Sequence, residues 1–261
     1  MSDPERIRIE QGDGVCRLVL ANPGAHNAVD HAFGREFLAA VTGPAREARC
    51  VEIVAEGPNF CVGGDIRGFA AEPDRSLSEL ADAFHAGQRA LFDLAAPVVI
   101  AVQGWAAGIG LSLALSGDLV VLADGARLRP AYTAIGLTPD GGMTASLPAA
   151  VGRARAMDMF LTNRPMGAAE ALAAGLAARV VPDDDLRVEA DAIADGIAAG
   201  PPQALAATKR LVRAAGGVLT PADLSAHLDV ESASIGERGR SPEGREGIAA
   251  FLGKRVPAWP E

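Results

Sequence analysis

Residues 98–118 read VVIAVQGWAAGIGLSLALSGD, and the order of residue types in that string decides the fold. Five apolar, mostly β-branched residues, Val98 to Val102, predict a buried strand. Gln103 and Gly104 break it, a small-residue turn spans residues 106–110, and an apolar helical run continues to Gly117. A turn of Ala and Gly lets the backbone approach a ligand closely. The first N–H groups of the following helix lack intrahelical partners and carry partial positive charge, so an anion can sit there. The main chain itself is a candidate catalyst.

Residues 51–56 predict a second strand, and GPNFCVGGDI (57–66) a second glycine turn, with Gly63 and Gly64 just before Asp65, the N-cap of the next segment. Each glycine string by itself also reads as an ordinary tight turn. Two of them in one domain can aim two N–H groups at one oxygen, the geometry that stabilises an enolate or a tetrahedral oxyanion. The chain contains no GxxxxGK[ST], and no GxGxxG opens a helix after a strand with an acidic residue at the required distance, which excludes the P-loop and dinucleotide fingerprints.

FCVGGDI, GWAAGIGLSLALSGDLVVLAD, IGLTPDGG and AEALAAGLAARVVPDDDL together resemble the enoyl-CoA hydratase/isomerase (crotonase) superfamily over nearly the whole chain. The resemblance implies an α/β fold, a spiral of ββα units over residues 1–198 with a helical trimerisation region at 199–261, within one catalytic unit. It implies a homotrimer or a dimer of trimers and an acyl-CoA thioester substrate. The thioester carbonyl would lie between two backbone N–H groups, which by position are those of Gly64 and Ile109. Ala28, Asp65, Ile66 and Arg67 would contact coenzyme A, and so would Phe251 and Lys254, often those of a neighbouring subunit. In the loop NPGAHNAVD, Asn27 and Ala28 match the family, but the Arg of its N-R-P pattern is absent. Coenzyme A is part of the substrate, so neither a separate cofactor nor a metal is expected.

Hydration of a 2-enoyl thioester works best with two carboxylates, one accepting a proton from water and one delivering a proton to carbon. At the positions where hydratases of the family carry Glu, this chain has Ser112 and Tyr132, and neither is a base near neutrality. Asp140 remains, in the TPDGG string. By itself that string predicts only a turn. In family context it matches the catalytic Asp of 1,2-epoxyphenylacetyl-CoA isomerases and related double-bond isomerases. One carboxylate suffices to remove a proton from one carbon and return it to another. The expected function is therefore isomerisation of an enoyl-CoA or a ring-epoxide/oxepin-type CoA thioester. The rivals are a hydratase using non-standard groups such as Glu72 or Asp74, and a catalytically inactive acyl-CoA-binding trimer.

Bulk properties agree with a single catalytic unit: 261 residues, 49% hydrophobic. A net charge of −9 disfavours nonspecific binding to nucleic acid or anionic membrane, so a phosphate-bearing ligand must be met by local basic groups. Cys16, Cys50 and Cys61 are odd in number and far apart, forming neither a disulfide framework nor a zinc pattern. With no apolar leader and no run of about 18 apolar residues, a cytoplasmic protein is expected.

Residues 6–20 predict a hairpin, 30–41 a helix capped by Asp30, 77–94 a helix and 118–123 a strand. LPAAVGRARAMDMFLT predicts one helix after Pro148, 166–178 another and 179–182 a strand, followed by helices at 186–199, 202–215, 221–236 and 242–254. His26 and His31 are read as exposed, His85 as packing, and Cys61 as a small filler without a cation to activate it.

Overall fold

The computed structural model describes residues 5–69, 73–215 and 221–259. Along the chain, β1 (Ile7–Gly12) and β2 (Val15–Leu20) form the hairpin, and α1 (His31–Thr42) leads to β3 (Cys50–Ala55). Next come α2 (Ile66–Phe69), α3 (Pro73–Asp93) and β4 (Val98–Val102), then β5 (Trp105–Ala107) running into α4 (Ile109–Ala114). The middle of the chain contains β6 (Leu119–Ala123), β7 (Arg127–Arg129), α5 (Met143–Val151), α6 (Arg153–Thr162), β8 (Met166–Gly167), α7 (Ala168–Ala174) and β9 (Arg179–Val181). The C-terminal part is helical, with α8 (Leu186–Ala199), α9 (Pro202–Ala215), α10 (Pro221–Arg240) and α11 (Pro242–Leu252).

Among the described residues a six-stranded sheet has the order β1-β2-β3-β4-β6-β9, antiparallel at the β1–β2 hairpin and parallel beyond it. Leu18 stands opposite Ile53, and Ile53 opposite Ile100, so one row of side chains crosses three strands. These residues pack with Phe33, Phe37 and Phe84 of α1 and α3. Their neighbours Val19, Val54, Ala101 and Val121 point the other way, onto Leu186 and Ala190 of α8. Both faces are covered, which is why these strands read as continuous apolar runs.

Asp30 caps α1 as expected: its Oδ1 accepts from the Phe33 N–H at 2.8 Å, while Oδ2 accepts from Arg6 Nη2 at 2.6 Å. Asp30→Ala is expected to cost about 1 kcal/mol through the cap, which a melting curve should register as a drop of roughly 2–4 °C.

The structure corrects three details. Residues 105–107 form β5 of a three-stranded sheet, β5-β7-β8, rather than part of a turn. The Cys61 N–H donates to the Trp105 carbonyl and the Cys61 carbonyl accepts from the Ala107 N–H, so small Ala side chains serve a strand held from both sides. The single helix read after Pro148 is two: α5 already begins at Met143 and carries Pro148 inside it, and α6 is separate because Gly152 adopts φ +80°. The helix expected from residue 166 begins at Ala168, as Met166 pairs with Leu128 of β7. No helix among the described residues is long and apolar enough to cross a membrane.

Candidate active site

The two glycine turns meet. Gly63 (φ +112°) and Gly108 (φ +53°) occupy the left-handed region where a Cβ is strained, and a Cβ on Gly108 would stand 3.6 Å from the Gly63 Cα. Val29 pairs with the 57–66 turn: its N–H donates to the Gly63 carbonyl and its carbonyl accepts from the Asp65 N–H, both at 2.8 Å. Those two bonds turn the N–H of Gly64, which lies between them, away from Val29. Ile109 opens α4, so its N–H has no intrahelical acceptor. Among the described residues neither N–H donates to the protein.

Both residues line one cavity of about 120 Å3, together with Asp140 and Tyr132. Its remaining wall is apolar and includes Ile66, Leu80, Leu137 and Ile235. Asp140 is its sole carboxylate among the described residues.

The Asp140 turn is held by side chains from the Tyr132 loop, α4, α3 and α10. The Tyr132 O–H donates to Asp140 Oδ1. Ser112 Oγ on α4 donates to the Asp140 carbonyl at 2.7 Å. From α3, His85 Nε2 accepts from the Gly141 N–H at 3.0 Å, and Gln88 Nε2 donates to the Gly141 carbonyl at 2.5 Å. From α10, Glu231 accepts from the N–H groups of Gly142 and Thr144. Burial pushes the Asp140 carboxyl up to about 7; the Tyr132 hydroxyl opposes that and the Glu231 charge adds to it. Tyr132, buried beside this carboxylate, is held well above its ordinary value and stays a donor.

His85 is more than packing. Its Nε2 lies 3.7 Å from Asp140 Oδ2, and burial pushes the ring down to about 4, so it is neutral there and no ion pair forms. Tyr132, which is no base, is instead a hydrogen-bond partner of the acid. Cys61 fits its filler reading, fully buried with its thiol pushed up to about 12 by burial.

The other residues assigned by likeness divide. Ile66 lines the cavity, as does Phe251 although 56% exposed. Ala28 and Asp65 flank the Val29 bridge, and Asp65 Oδ1 caps α2 by accepting from the Arg67 N–H at 3.1 Å. The side chains of Arg67 and Lys254 are exposed and are not part of the cavity wall. Asn27 is committed to structure: its Nδ2 donates to the Glu56 and Asn59 carbonyls and its Oδ1 accepts from the Asn22 N–H. Glu72 and the Asp74 side chain lie outside the described residues.

Residues 10–261 match the family model described as enoyl-CoA hydratase/isomerase. The chain is 39% identical over 251 residues to a probable enoyl-CoA hydratase of Rhodobacter capsulatus, covering 96% of each. It is 33% identical over 250 residues to the 1,2-epoxyphenylacetyl-CoA isomerase of Escherichia coli, covering 94% of each. Among solved structures, an enoyl-CoA hydratase/isomerase of Pseudoalteromonas atlantica superposes with a TM-score of 0.87 at 30% identity, over 98% of this chain and 100% of that one.

Proposed function

Because the chain belongs to the enoyl-CoA hydratase/isomerase family, whose members are crotonase-superfamily enzymes acting on acyl-CoA thioesters, we propose that it is an isomerase that shifts a double bond through an enolate, with Asp140 moving the proton. One observation carries this reading: a single buried carboxylate and two unpaired backbone N–H groups face the same cavity.

The thioester oxygen accepts hydrogen bonds from the Gly64 and Ile109 N–H groups, which stabilise it most when it becomes an oxyanion. Asp140 takes the C2 proton of a 3-enoyl-CoA, leaving a dienolate, and returns a proton to C4, giving the conjugated 2-enoyl-CoA. Oδ1 is occupied by the Tyr132 hydroxyl, so Oδ2 is the oxygen that carries the proton. A carboxyl poised near 7 serves both as base and as acid at neutral pH. A ring-epoxide CoA thioester, as named for the Escherichia coli relative, is a second substrate class for the same hole and acid.

The test is incubation with a 3-enoyl-CoA while following absorbance of the conjugated thioester. Conjugation should appear, and its rate should fall as pH drops through about 7, because Asp140 must be ionised to accept a proton. Tyr132→Phe removes a donor that favours the carboxylate, so the acidic limb of the pH–rate profile should move upward. A limb that stays in place or moves down would contradict this assignment.

The name of the Rhodobacter capsulatus relative favours a second reading, water addition to a 2-enoyl-CoA. That chemistry calls for a second acid–base group, and the groups beside Asp140 are Tyr132 and a neutral His85. Binding of a CoA thioester with no turnover would favour an inactive binder. A homotrimer or a dimer of trimers belongs to the proposed reading, supported by the exposed apolar side chains of Phe251, Leu211 and Val212.

A further inference from the structure

The helix α5 begins directly after the Asp140 turn, with Gly142 (φ +76°) at its N-cap, and neither a side chain at that cap nor an acid in its first turn serves its free N–H groups. The missing acceptor comes from 87 residues away. Glu231 of α10 is 3% exposed; its Oε2 accepts from the Gly142 N–H at 2.5 Å and its Oε1 from the Thr144 N–H at 3.0 Å. The Thr144 hydroxyl bonds Oε1 as well and also meets His227 Nε2 at 2.7 Å. Nothing in the double-bond shift requires this carboxylate, yet burying one costs several kcal/mol unless it is fully hydrogen-bonded.

We propose that Glu231 is a positioning residue for Asp140: it clamps the start of α5 to α10, fixes the two glycines behind Asp140, and so sets where the Asp140 carboxyl points in the cavity. This rests on the reading of Asp140 as the proton-transfer group. A bidentate acceptor on the N–H groups two and four residues after Asp140 leaves the turn little freedom, and a displacement of about 1 Å in a reacting group can cost 10²-fold in rate. The charge acts too. The groups facing Asp140 are Tyr132, His85 of α3 and Glu231 of α10. His85 has Asp82 and Arg89 of its own helix and Asp229 of α10 near it, and Glu231 has His227. Of these, the Glu231 carboxylate is the one that raises the Asp140 carboxyl by repulsion.

Two variants separate geometry from charge. Glu231→Gln should lower kcat roughly tenfold or more, with KM little changed, and should move the acidic limb of the pH–rate profile downward, since the repelling charge is gone. Glu231→Asp keeps the charge but is one methylene short, so kcat should fall with the limb in place. Glu237→Gln, an exposed change on the same helix, should leave kcat unchanged. Wild-type kcat and an unmoved limb in Glu231→Gln, with at most a lower melting temperature, would overturn the proposal. If the Gln variant does not fold, the Asp variant decides alone: reduced kcat supports the clamp and wild-type kcat overturns it. Asp140→Asn run alongside keeps the two readings apart. If it is fully active, the assignment of Asp140 falls and the positioning role with it. If it is inactive while Glu231→Gln is normal, only the positioning role falls.

Discussion

Asp140→Asn is expected to lower proton transfer on a bound enoyl-CoA by about 10²–10⁴-fold while leaving acyl-CoA affinity nearly unchanged. Asn matches Asp in size and still accepts from the Tyr132 hydroxyl, so the cavity keeps its shape and loses only the group that can hold a proton. A second readout has the opposite sign. The folded-state Asp140 carboxyl is raised from 3.8 to about 7, so the folded state holds this proton more tightly than the unfolded one. The stability it contributes is complete below the ordinary carboxylate value and is lost as pH rises through about 7. With one pKa unit worth 1.36 kcal/mol, the ligand-free wild type gives up at most about 4 kcal/mol by pH 8. The Asn variant gives up none of it. Asp140→Asn should therefore melt above wild type at pH 8, and the gap should close towards pH 4. Unchanged turnover, or a variant that melts lower at pH 8, would contradict the role assigned to Asp140.

Gly110→Ala is expected to damage the backbone hole without touching an acid or base. In an ordinary helix interior this change would stabilise by up to about 1 kcal/mol. Here the added Cβ would stand 2.3 Å from the Cys61 carbonyl oxygen and 2.9 Å from its carbon, and backbone cannot swing aside. Cys61 belongs to the 57–66 turn and Gly110 to α4, so relief of the clash pushes the Gly64 and Ile109 N–H groups apart. The clash outweighs the helix propensity, at about 1–3 kcal/mol for overpacking. Loss of one donor from such a hole is worth roughly 10²–10³ in kcat. Steady-state kinetics with the acid limb in its wild-type place would mark this as loss of oxyanion stabilisation. Wild-type kcat would show that the approach of the two turns is not needed.

Local features are legible in the sequence and distant partners are not. Strand, glycine turn and helix each depend on a few adjacent residues, so both turns can be read directly, whereas Gly64 and Ile109 as the proposed donors need the family likeness. Asp140 needs the family likeness, because PDGG predicts a turn in any context. The partners that hold it are hidden: Tyr132 from its loop, Ser112 from α4, His85 and Gln88 from α3 and Glu231 from α10 are brought together only by tertiary packing. Traces exist. In α3, His85 and Gln88 sit among Ala81, Phe84 and Leu91, all buried, and polar groups on an apolar helical stripe mark a buried site. In α10, Glu231 lies on the stripe of Leu224, Leu228 and Ile235, all buried. A carboxylate at core spacing requires donors, and here the donors are the start of α5. Gly152 is itself the kind of glycine that ends a helix, though apolar spacing on both sides also fits one continuous helix, while the short strand at Met166 leaves no local mark because its partner, β7, is distant in sequence.

On the proposed reading this cavity moves a proton through an enolate and does not add water. Mass spectrometry of the thioester after incubation of the wild-type protein in D2O, with a 3-enoyl-CoA and separately with a 2-enoyl-CoA, tests that most directly. Uptake of deuterium into the acyl group with no added water is the predicted result. Gain of a whole water by the 2-enoyl substrate, without exchange on the 3-enoyl one, would contradict it.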